Sequence, residues 1–125
     1  MNARRDTFAA LHKPGHPVLL YNIWDVGSAR AVAAAGAPAL ATGSHPLANA
    51  NGFPDGEQIP FNLFLDCVRR IVHGVEVPVS ADFEGGFAVD AGRRANDGQG
   101  TPAISARCAD AEHQVIGVAQ YRTAV

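Results

Sequence analysis

The chain contains three short apolar runs, each followed within a few residues by polar side chains or glycine. The runs and their polar ends are Val18–Asn22 before Asp25, Pro38–Thr42 before Gly43 and Ser44, and Val77–Ala81 before Asp82 and Glu84. Runs this short and this continuously apolar are typical of buried strands rather than of surface helices. The chain is therefore expected to form a sheet that brings polar groups together at one end.

The segments between these runs have helical signals. Thr7–His12 predicts a short helix, Ser28 is expected to cap a helix over Ala29–Ala35, and Asn62 is expected to cap one that ends at Gly74. Strand, helix, strand, helix, strand is the order of a parallel sheet with helical crossovers, which is an α/β fold. Ligands of such folds gather at the carboxyl ends of the strands, where the polar residues lie.

Composition and charge restrict the class of protein. A length of 125 residues with 47% apolar residues fits one globular domain, and a net charge of −2 gives no electrostatic attraction for nucleic acid or an anionic membrane. Cys67 and Cys108 have neither the number nor the spacing of a disulfide framework or a zinc site, and we interpret both as reduced structural thiols. We find no signal peptide or membrane-spanning run and expect a cytoplasmic protein.

Three acids are candidates for chemistry. Asp82 and Glu84 are two residues apart, and on an ideal strand their side chains point the same way, so both could reach one ion. The alternative is a pair of solvated acids at a strand end. Asp55 lies in His45–Pro60, which is predicted to be a long loop, and Pro54-Asp55-Gly56 is also a good turn sequence without any further role.

Four motifs in this order carry a family resemblance: Asn22–Arg30, Ala41–Ser44, Gly52–Glu57 and Ala81–Phe87. Together they resemble the isocitrate lyase and phosphoenolpyruvate mutase superfamily, and within it the carboxyphosphonoenolpyruvate phosphonomutase-like branch. The resemblance covers roughly residues 8 to 89. It implies the N-terminal portion of a (β/α)8 TIM barrel of the helix-swapped kind, in which full-length relatives form homo-oligomers.

The resemblance also implies an activity. Relatives of this kind are lyases or phosphonomutases that act through bound Mg²⁺ on C–C or C–P bonds of small 2-oxo or 2-hydroxy carboxylic acids or phosphonates. Mg²⁺ prefers oxygen ligands and keeps several waters, so few protein carboxylates are needed to hold it.

Site residues follow from the same resemblance. Asp82 matches the acid that binds the metal directly and takes part in catalysis, and Glu84 matches the acid that holds the metal through water. Asp55 matches a catalytic acid near the metal waters. The positions that match the substrate-binding residues are Trp24, Thr42, Gly43 and Ser44.

Three positions near these residues need comment. Many relatives have serine followed by glycine where this chain has Gly43 followed by Ser44, and Phe87 stands where tyrosine is common. Asp25 matches an acid that supports the metal shell. Trp24, by its residue type alone, could equally pack in the core.

The resemblance stops near Asp90, and two interpretations remain open. Residues 1–90 are a partial barrel, whereas residues 91–125 match no family element and contain a weak helix predicted over Ile104–Val118. In the first interpretation the chain is an incomplete enzyme whose tail results from truncation or a reading-frame shift. In the second it is a small α/β binding or interaction module, or an inactive fragment, that retains a carboxylate half-site. A module should cover its free sheet edge with its tail.

A nucleotide-binding fold that uses Gly85-Gly86 is disfavoured. Neither of the glycine-rich spacings that hold phosphates follows a strand in this sequence.

Overall fold

The structure, a computed structural model, describes residues 3–84, residue 87 and the strand formed by residues 115–118. Its helices are α1 (Ala3–Leu11), α2 (Val26–Ala34), α3 (Ser44–Ala50) and α4 (Phe61–Gly74), and its strands are β1 (Tyr21–Ile23), β2 (Leu40–Thr42), β3 (Val79–Asp82) and β4 (Val115–Val118). In this described part, none of the helices has both the length and the apolar character needed to cross a membrane.

The four strands form one sheet in the order β1-β2-β3-β4, and all three neighbouring pairs are parallel. Helices α2 and α4 connect the first three strands and pack against them. The predicted parallel sheet with helical crossovers is therefore confirmed.

Alternation of side chains along each strand decides what each face of the sheet carries. Leu40 and Val79 are aligned neighbours and fully buried. Asn22, Ala41 and Ser80 form the next aligned row and therefore point to the opposite face. Asp82 lies two residues beyond Ser80, so its side chain continues this row at the carboxyl end of β3.

The core lies between the sheet and α4. This helix buries one apolar stripe, formed by Phe64, Cys67, Val68, Ile71 and Val72. Each large side chain buried there contributes about 1.5–3 kcal/mol relative to an exposed position. Cys67 is buried with its thiol 3.6 Å from the side-chain oxygen of Asn51, which fits the structural role predicted for it. Cys108 lies outside the described residues.

Two predicted caps are wrong. Helix α2 begins at Val26 and is capped by Asp25, while Ser28 occupies the third helical position and completes a capping box. Helix α4 begins directly after Pro60, and within the described part no side chain caps it by a hydrogen bond, so Asn62 does not have the predicted role.

The segment predicted as a long loop contains helix α3. Gly43 stands at its N-cap, and Leu47 and Ala48 are buried against the core. Pro46 is tolerated because it lies in the first turn, where a backbone N–H has no partner within the helix. Burial of the two apolar residues therefore outweighs the loop-like composition of the sequence.

The predicted helix over Ile104–Val118 is also wrong at its end, because Val115–Val118 is a strand that pairs with β3. Residues 104–114 lie outside the described part. β-Branched residues such as Val115 and Ile116 favour strands, and the edge of β3 offers backbone partners that a local helix prediction does not consider. The edge of β3, for which the sequence predicted no neighbouring strand, is therefore paired in the structure.

Candidate active site at the carboxyl end of the sheet

Asp82 is held by backbone contacts on both sides. Its N–H donates to Oγ1 of Thr42, 2.9 Å away on the neighbouring strand, and its Oδ1 accepts a 2.9 Å hydrogen bond from the N–H of Glu84. Thr42 is 3% exposed, so this interaction is shielded from water. The carboxylate of Asp82 is therefore fixed at the end of β3, on the face opposite the helices.

Glu84 reaches the site by a turn and not by an extended strand. β3 ends at Asp82, and Glu84 has a φ of 51°, which is in the left-handed region. The expectation that Asp82 and Glu84 project together from one ideal strand is therefore wrong. The turn instead directs Glu84 towards the loop that carries Asp55.

Asp55 and Glu84 form a carboxyl pair. Their side chains lie within hydrogen-bond reach of each other. Burial, together with the neighbouring Asp55 carboxylate, raises the pKa of Glu84. The hydrogen bond from Glu84 lowers the pKa of Asp55, and the Ser44 hydroxyl and the nearby His45 act in the same direction. Asp55 is therefore the more acidic member of the pair and Glu84 the less acidic one.

The loop that follows Asp55 supports this pair through its backbone. Glu84 accepts hydrogen bonds from the N–H groups of Gly56 and Glu57. Gly56 has a φ of 89°, a conformation that glycine adopts without strain. The turn predicted for Pro54-Asp55-Gly56 and the predicted functional role of Asp55 are thus compatible.

Glu57 is a site residue that the sequence did not reveal. Its Oε1 accepts a 2.8 Å hydrogen bond from the N–H of Phe87. Glu57, Glu84 and Phe87 all have positive φ values, of 62°, 51° and 58°. Such conformations are costly for residues other than glycine and cluster at functional sites. The sequence gives little sign of this role, because a left-handed backbone position can be predicted from a glycine but not from a glutamate.

Aromatic packing positions the segment that carries Glu84. The ring of Phe64 in α4 lies 5.1 Å from that of Phe83 and 5.1 Å from that of Phe87. The ring of Phe87 also lies 5.4 Å from that of Phe61. Phe87, which stands where tyrosine is common in relatives, therefore packs against α4.

Three of the four residues predicted to bind the substrate lie together at the end of β2 but differ in what they contact. Thr42 is buried, and its hydroxyl oxygen accepts a hydrogen bond from the backbone N–H of Asp82. The N–H of Gly43 donates to the carbonyl oxygen of Ile23 at 3.1 Å. Ser44 hydrogen-bonds to Asp55. Of the three, only Ser44 contacts the carboxyl pair through its side chain.

Gly43 is needed for packing. A Cβ at this position would lie 2.8 Å from Cγ of Pro46 and 3.2 Å from Nδ2 of Asn22. The first distance is shorter than side-chain contacts allow. Pro46 and Asn22 therefore lie so close to residue 43 that only glycine fits there, which agrees with the glycine-serine order of this chain.

Trp24 and Asp25 follow β1. Trp24 is 40% exposed, which is too much for a residue of the core, and its N–H donates to Oγ of Ser28. Asp25 accepts a 2.7 Å hydrogen bond from the N–H of Ser28, and this bond lowers the pKa of Asp25. In this structure the carboxylate of Asp25 therefore caps α2.

The acids around the carboxyl end of β3 are the candidate ligands of a divalent cation. Within the residues that the structure describes, no group of three or more His, Cys, Asp or Glu side chains has the arrangement of a metal site. Mg²⁺, however, is commonly held by one or two carboxylates and several waters. Asp82 and the adjoining Asp55–Glu84 pair supply hard oxygen donors, and a cation would relieve the repulsion between two ionised acids. The residues present fit Mg²⁺ by donor type.

The fold and site together define a class: a parallel α/β sheet of the kind found in (β/α)8 barrels, with acids gathered at the carboxyl ends of the strands. Comparison with known proteins agrees. The sequence profile of the phosphoenolpyruvate phosphomutase family matches residues 8–97, which is more than half of the chain. The chain belongs to this family.

Several relatives show how much of the family fold is present. A candidate phosphonomutase of Burkholderia cenocepacia J2315 is 34% identical, with a TM-score of 0.70 over 94% of this chain and 60% of its own. A phosphoenolpyruvate phosphomutase of Streptomyces platensis subsp. rosaceus has a TM-score of 0.70 over 88% of this chain and 36% of its own, and at 20% identity it supports the fold alone.

Curated relatives are longer than the matched region. Uncharacterized proteins of two Mycobacterium tuberculosis strains, CDC 1551 / Oshkosh and H37Rv, are each 33% identical over 82 residues, which is 66% of this chain. The chain spans 31% of their length. The four strands therefore correspond to part of a barrel.

Proposed function

We propose that this chain carries the site of a Mg²⁺-dependent lyase or phosphonomutase that acts on C–C or C–P bonds of small 2-oxo or 2-hydroxy carboxylic acids. The observation that carries the proposal is the Asp55–Glu84 carboxyl pair beside Asp82. These three acids come from the loop after α3 and from the end of β3, and each is fixed by hydrogen bonds from the backbone or from other side chains. Family membership supports lyase or mutase chemistry in general.

Asp82 and Glu84 are the proposed metal-binding residues, Asp82 directly and Glu84 through water. When bound, Mg²⁺ would supply the positive charge that stabilises the enolate or oxyanion formed as the C–C or C–P bond breaks. Thr42 positions Asp82, because its Oγ1 accepts a hydrogen bond from the backbone N–H of Asp82. Because an ionised carboxylate binds a cation better than a protonated one, the raised pKa of Glu84 means that rising pH should favour occupation of the site.

The substrate is proposed to lie between Trp24 and the Gly43-Ser44 segment. The hydroxyl of Ser44, which hydrogen-bonds to Asp55, would bind a carboxylate or phosphonyl oxygen. The half-exposed ring of Trp24 would cover the apolar part of the substrate and exclude water. Asp55, which is exposed, is the proposed group that accepts or returns a proton at its carboxylate oxygen.

The proposed setting is the cytoplasm, with a small carboxylic acid or phosphonate as partner. The buried free thiol of Cys67 fits a reducing compartment. The net charge of −2 favours neither nucleic acid nor an anionic membrane.

The test is turnover and its dependence on Asp82. Release of pyruvate from phosphonopyruvate or oxaloacetate should require Mg²⁺ and should be abolished by Asp82→Asn. Asp66→Asn is a matched control, because Asp66 is an exposed acid of α4 that pairs with Arg69 outside the site. Turnover that Asp82→Asn leaves unchanged would refute the metal assignment.

A second candidate, a small module that binds carboxylates without turnover, is supported by the pairing of β4 with the β3 edge. A self-contained module would need its edge covered in this way. Thermal stabilisation by Mg²⁺ plus oxalate, an enolpyruvate mimic, without turnover of either substrate would favour this candidate. Turnover that is lost in Asp82→Asn would exclude it.

A further inference from the structure

The loop after α3 and the segment after β3 are joined by hydrogen bonds in both directions. Oε1 of Glu57, in the loop, accepts a 2.8 Å hydrogen bond from the backbone N–H of Phe87. In the other direction, the carboxyl group of Glu84 accepts hydrogen bonds from the backbone N–H groups of Gly56 and Glu57. Each segment therefore supplies a glutamate whose side chain binds the backbone of the other, and we call this arrangement the Glu57–Glu84 clasp.

The Phe87 side of the clasp is anchored to the core. The ring of Phe87 lies 5.1 Å from that of Phe64 and 5.4 Å from that of Phe61, and both of these residues belong to α4. Phe64 is 1% exposed, so this contact joins Phe87 to a buried part of the helix. The backbone N–H of Phe87 is therefore a fixed donor to which Glu57 can hold its own loop.

The loop side of the clasp has less support from burial. Asp55 and Gly56 are exposed, and Glu57 is half-buried. Glu57 and Glu84 have φ values of 62° and 51°, which residues other than glycine rarely adopt unless tertiary contacts hold them. Ser44 hydrogen-bonds to Asp55 but not to the two residues that follow it. The position of this loop therefore depends on hydrogen bonds, and the clasp supplies three of them.

We propose that Glu57 is a positioning residue that holds Asp55 against Glu84. It does so by fixing its own loop to the backbone of Phe87, and it acts through the two acids rather than on the substrate. Its importance for turnover rests on the proposed function, in which Asp55 transfers a proton and Glu84 holds Mg²⁺ through water.

The clasp should loosen as a unit when one of its hydrogen bonds is removed. Glu57→Ala deletes the acceptor of the Phe87 N–H and leaves both the Gly56 N–H and its acceptor, Glu84, in place. Because the two segments hold each other, the Gly56 N–H should nevertheless become accessible to water. A side chain that only fills space would not affect this distant amide selectively.

Hydrogen exchange measured by NMR, without metal or substrate, tests this coupling. The amides of Phe87 and Gly56 should both exchange about tenfold faster in Glu57→Ala than in the wild type. The amide of Asp82, which donates to Thr42, is the internal control and should be unchanged. Faster exchange at Phe87 alone, or at neither amide, would overturn the proposal, because Glu57 would then not hold the loop that carries Asp55.

Two further variants separate the hydrogen bond from charge and from backbone strain. Glu57→Gln retains an acceptor oxygen without the negative charge and should exchange like the wild type. Glu57→Gly lacks the side chain but adopts a positive φ without strain, so it should stay folded and exchange like Glu57→Ala. Circular dichroism checks the fold of each variant. Wild-type exchange of the Gly56 amide in Glu57→Gly would overturn the proposal, because backbone conformation alone would then place the loop.

Turnover of phosphonopyruvate or oxaloacetate by the same variants tests the role in the site. Loss of an outer partner of a metal site commonly lowers metal affinity or activity by about 10–100-fold. Glu57→Ala should therefore lower kcat by about tenfold or more. KM should change little, because the proposed substrate contacts, Trp24 and Ser44, are not part of the clasp. Glu57→Gln should restore kcat.

The two experiments fail independently. A wild-type kcat in folded Glu57→Ala, or a rise in KM with no change in kcat, would overturn the positioning role. A wild-type chain without Mg²⁺ binding or turnover would instead refute the proposed function. The exchange rates of the Phe87 and Gly56 amides would then still decide whether Glu57 holds Asp55 against Glu84, because that experiment uses neither metal nor substrate.

Discussion

Oγ1 of Thr42 accepts a 2.9 Å hydrogen bond from the backbone N–H of Asp82 and thereby joins the carboxyl ends of β2 and β3. Both residues belong to motifs singled out in the sequence, one as a substrate-binding residue and one as a metal ligand. The two residues have different roles, because the buried Thr42 holds the end of β3 in place and Asp82 projects its carboxylate from that end. It also makes the site sensitive to a change that leaves every acid in place.

Removal of this hydroxyl tests that dependence. Thr42→Val keeps the shape of the side chain but leaves the N–H of Asp82 without its partner, which should lower the free energy of unfolding by about 1–3 kcal/mol. Thr42→Ser retains the acceptor and should lie closer to the wild type. Urea denaturation of the three proteins measures the difference. Equal losses in the valine and serine variants would mean that the methyl group, and not the hydrogen bond, matters.

The Asp25–Ser28 capping box predicts a pH-dependent stability. Hydrogen bonds from Ser28 lower the pKa of Asp25 from its ordinary value of 3.8, so the ionised form stabilises the folded state. A carboxyl group whose pKa is lower in the folded than in the unfolded state adds to the free energy of unfolding. This stabilisation is fully present at a pH above the unfolded-state pKa and is lost as the pH falls through the folded-state pKa. Asp25→Asn, which can still cap the helix, should therefore destabilise the protein more at pH 6 than at pH 3.

Urea denaturation at the two pH values checks this. Ser28→Ala serves as the companion variant, since it keeps the backbone N–H that is the main cause of the shift. It should retain most of the pH dependence. An Asp25→Asn effect that is the same at pH 6 and pH 3 would contradict the role of the ionised cap.

Two glycine substitutions are expected to act in opposite directions. Gly43→Ala places a Cβ 2.8 Å from the rigid ring of Pro46 and should cost about 1–3 kcal/mol. Gly27→Ala adds a Cβ within helix α2, where the nearest atom is at an ordinary 3.5 Å, and should stabilise by about 0.5–1 kcal/mol. Thermal unfolding of both variants is the measurement. A neutral Gly43→Ala would show that the end of β2 can relax.

The two proposed metal ligands should differ in strength. Asp82→Asn removes the proposed direct ligand and should abolish detectable Mg²⁺ binding, whereas Glu84→Gln removes a water-mediated partner and should weaken binding by about 10–100-fold. Isothermal titration with Mg²⁺ measures both, with Asp66→Asn as the unaffected acid. If Glu84→Gln were the more damaging change, the roles of the two acids would be reversed.

Much of the fold could be predicted because it depends on local patterns. The apolar run that ends at Thr42 predicted β2, and the apolar stripe of the segment that ends at Gly74 predicted α4, both close to their observed positions. The order of these elements was enough to predict a parallel sheet, because short crossovers through helices permit little else.

Caps and short helices were less predictable. Asp25 and Ser28 are both good capping residues, and only the direction in which the chain leaves β1 decides between them. Helix α3 forms because Leu47 and Ala48 find a place in the core, although its sequence resembles a loop. Both results depend on contacts with residues that are distant in the sequence.

For the candidate site, the sequence by itself determined which acids are present, that Asp82 and Glu84 follow a buried strand, and that Asp55 lies in a turn. These are consequences of composition and spacing. Only the tertiary structure decided that Glu84 turns away from the strand to pair with Asp55, that Glu57 holds Phe87, and that Val115–Val118 forms a strand beside β3. The physical reason is that a carboxyl pair, a hydrogen bond from a distant backbone N–H and a paired sheet edge each require two segments to meet.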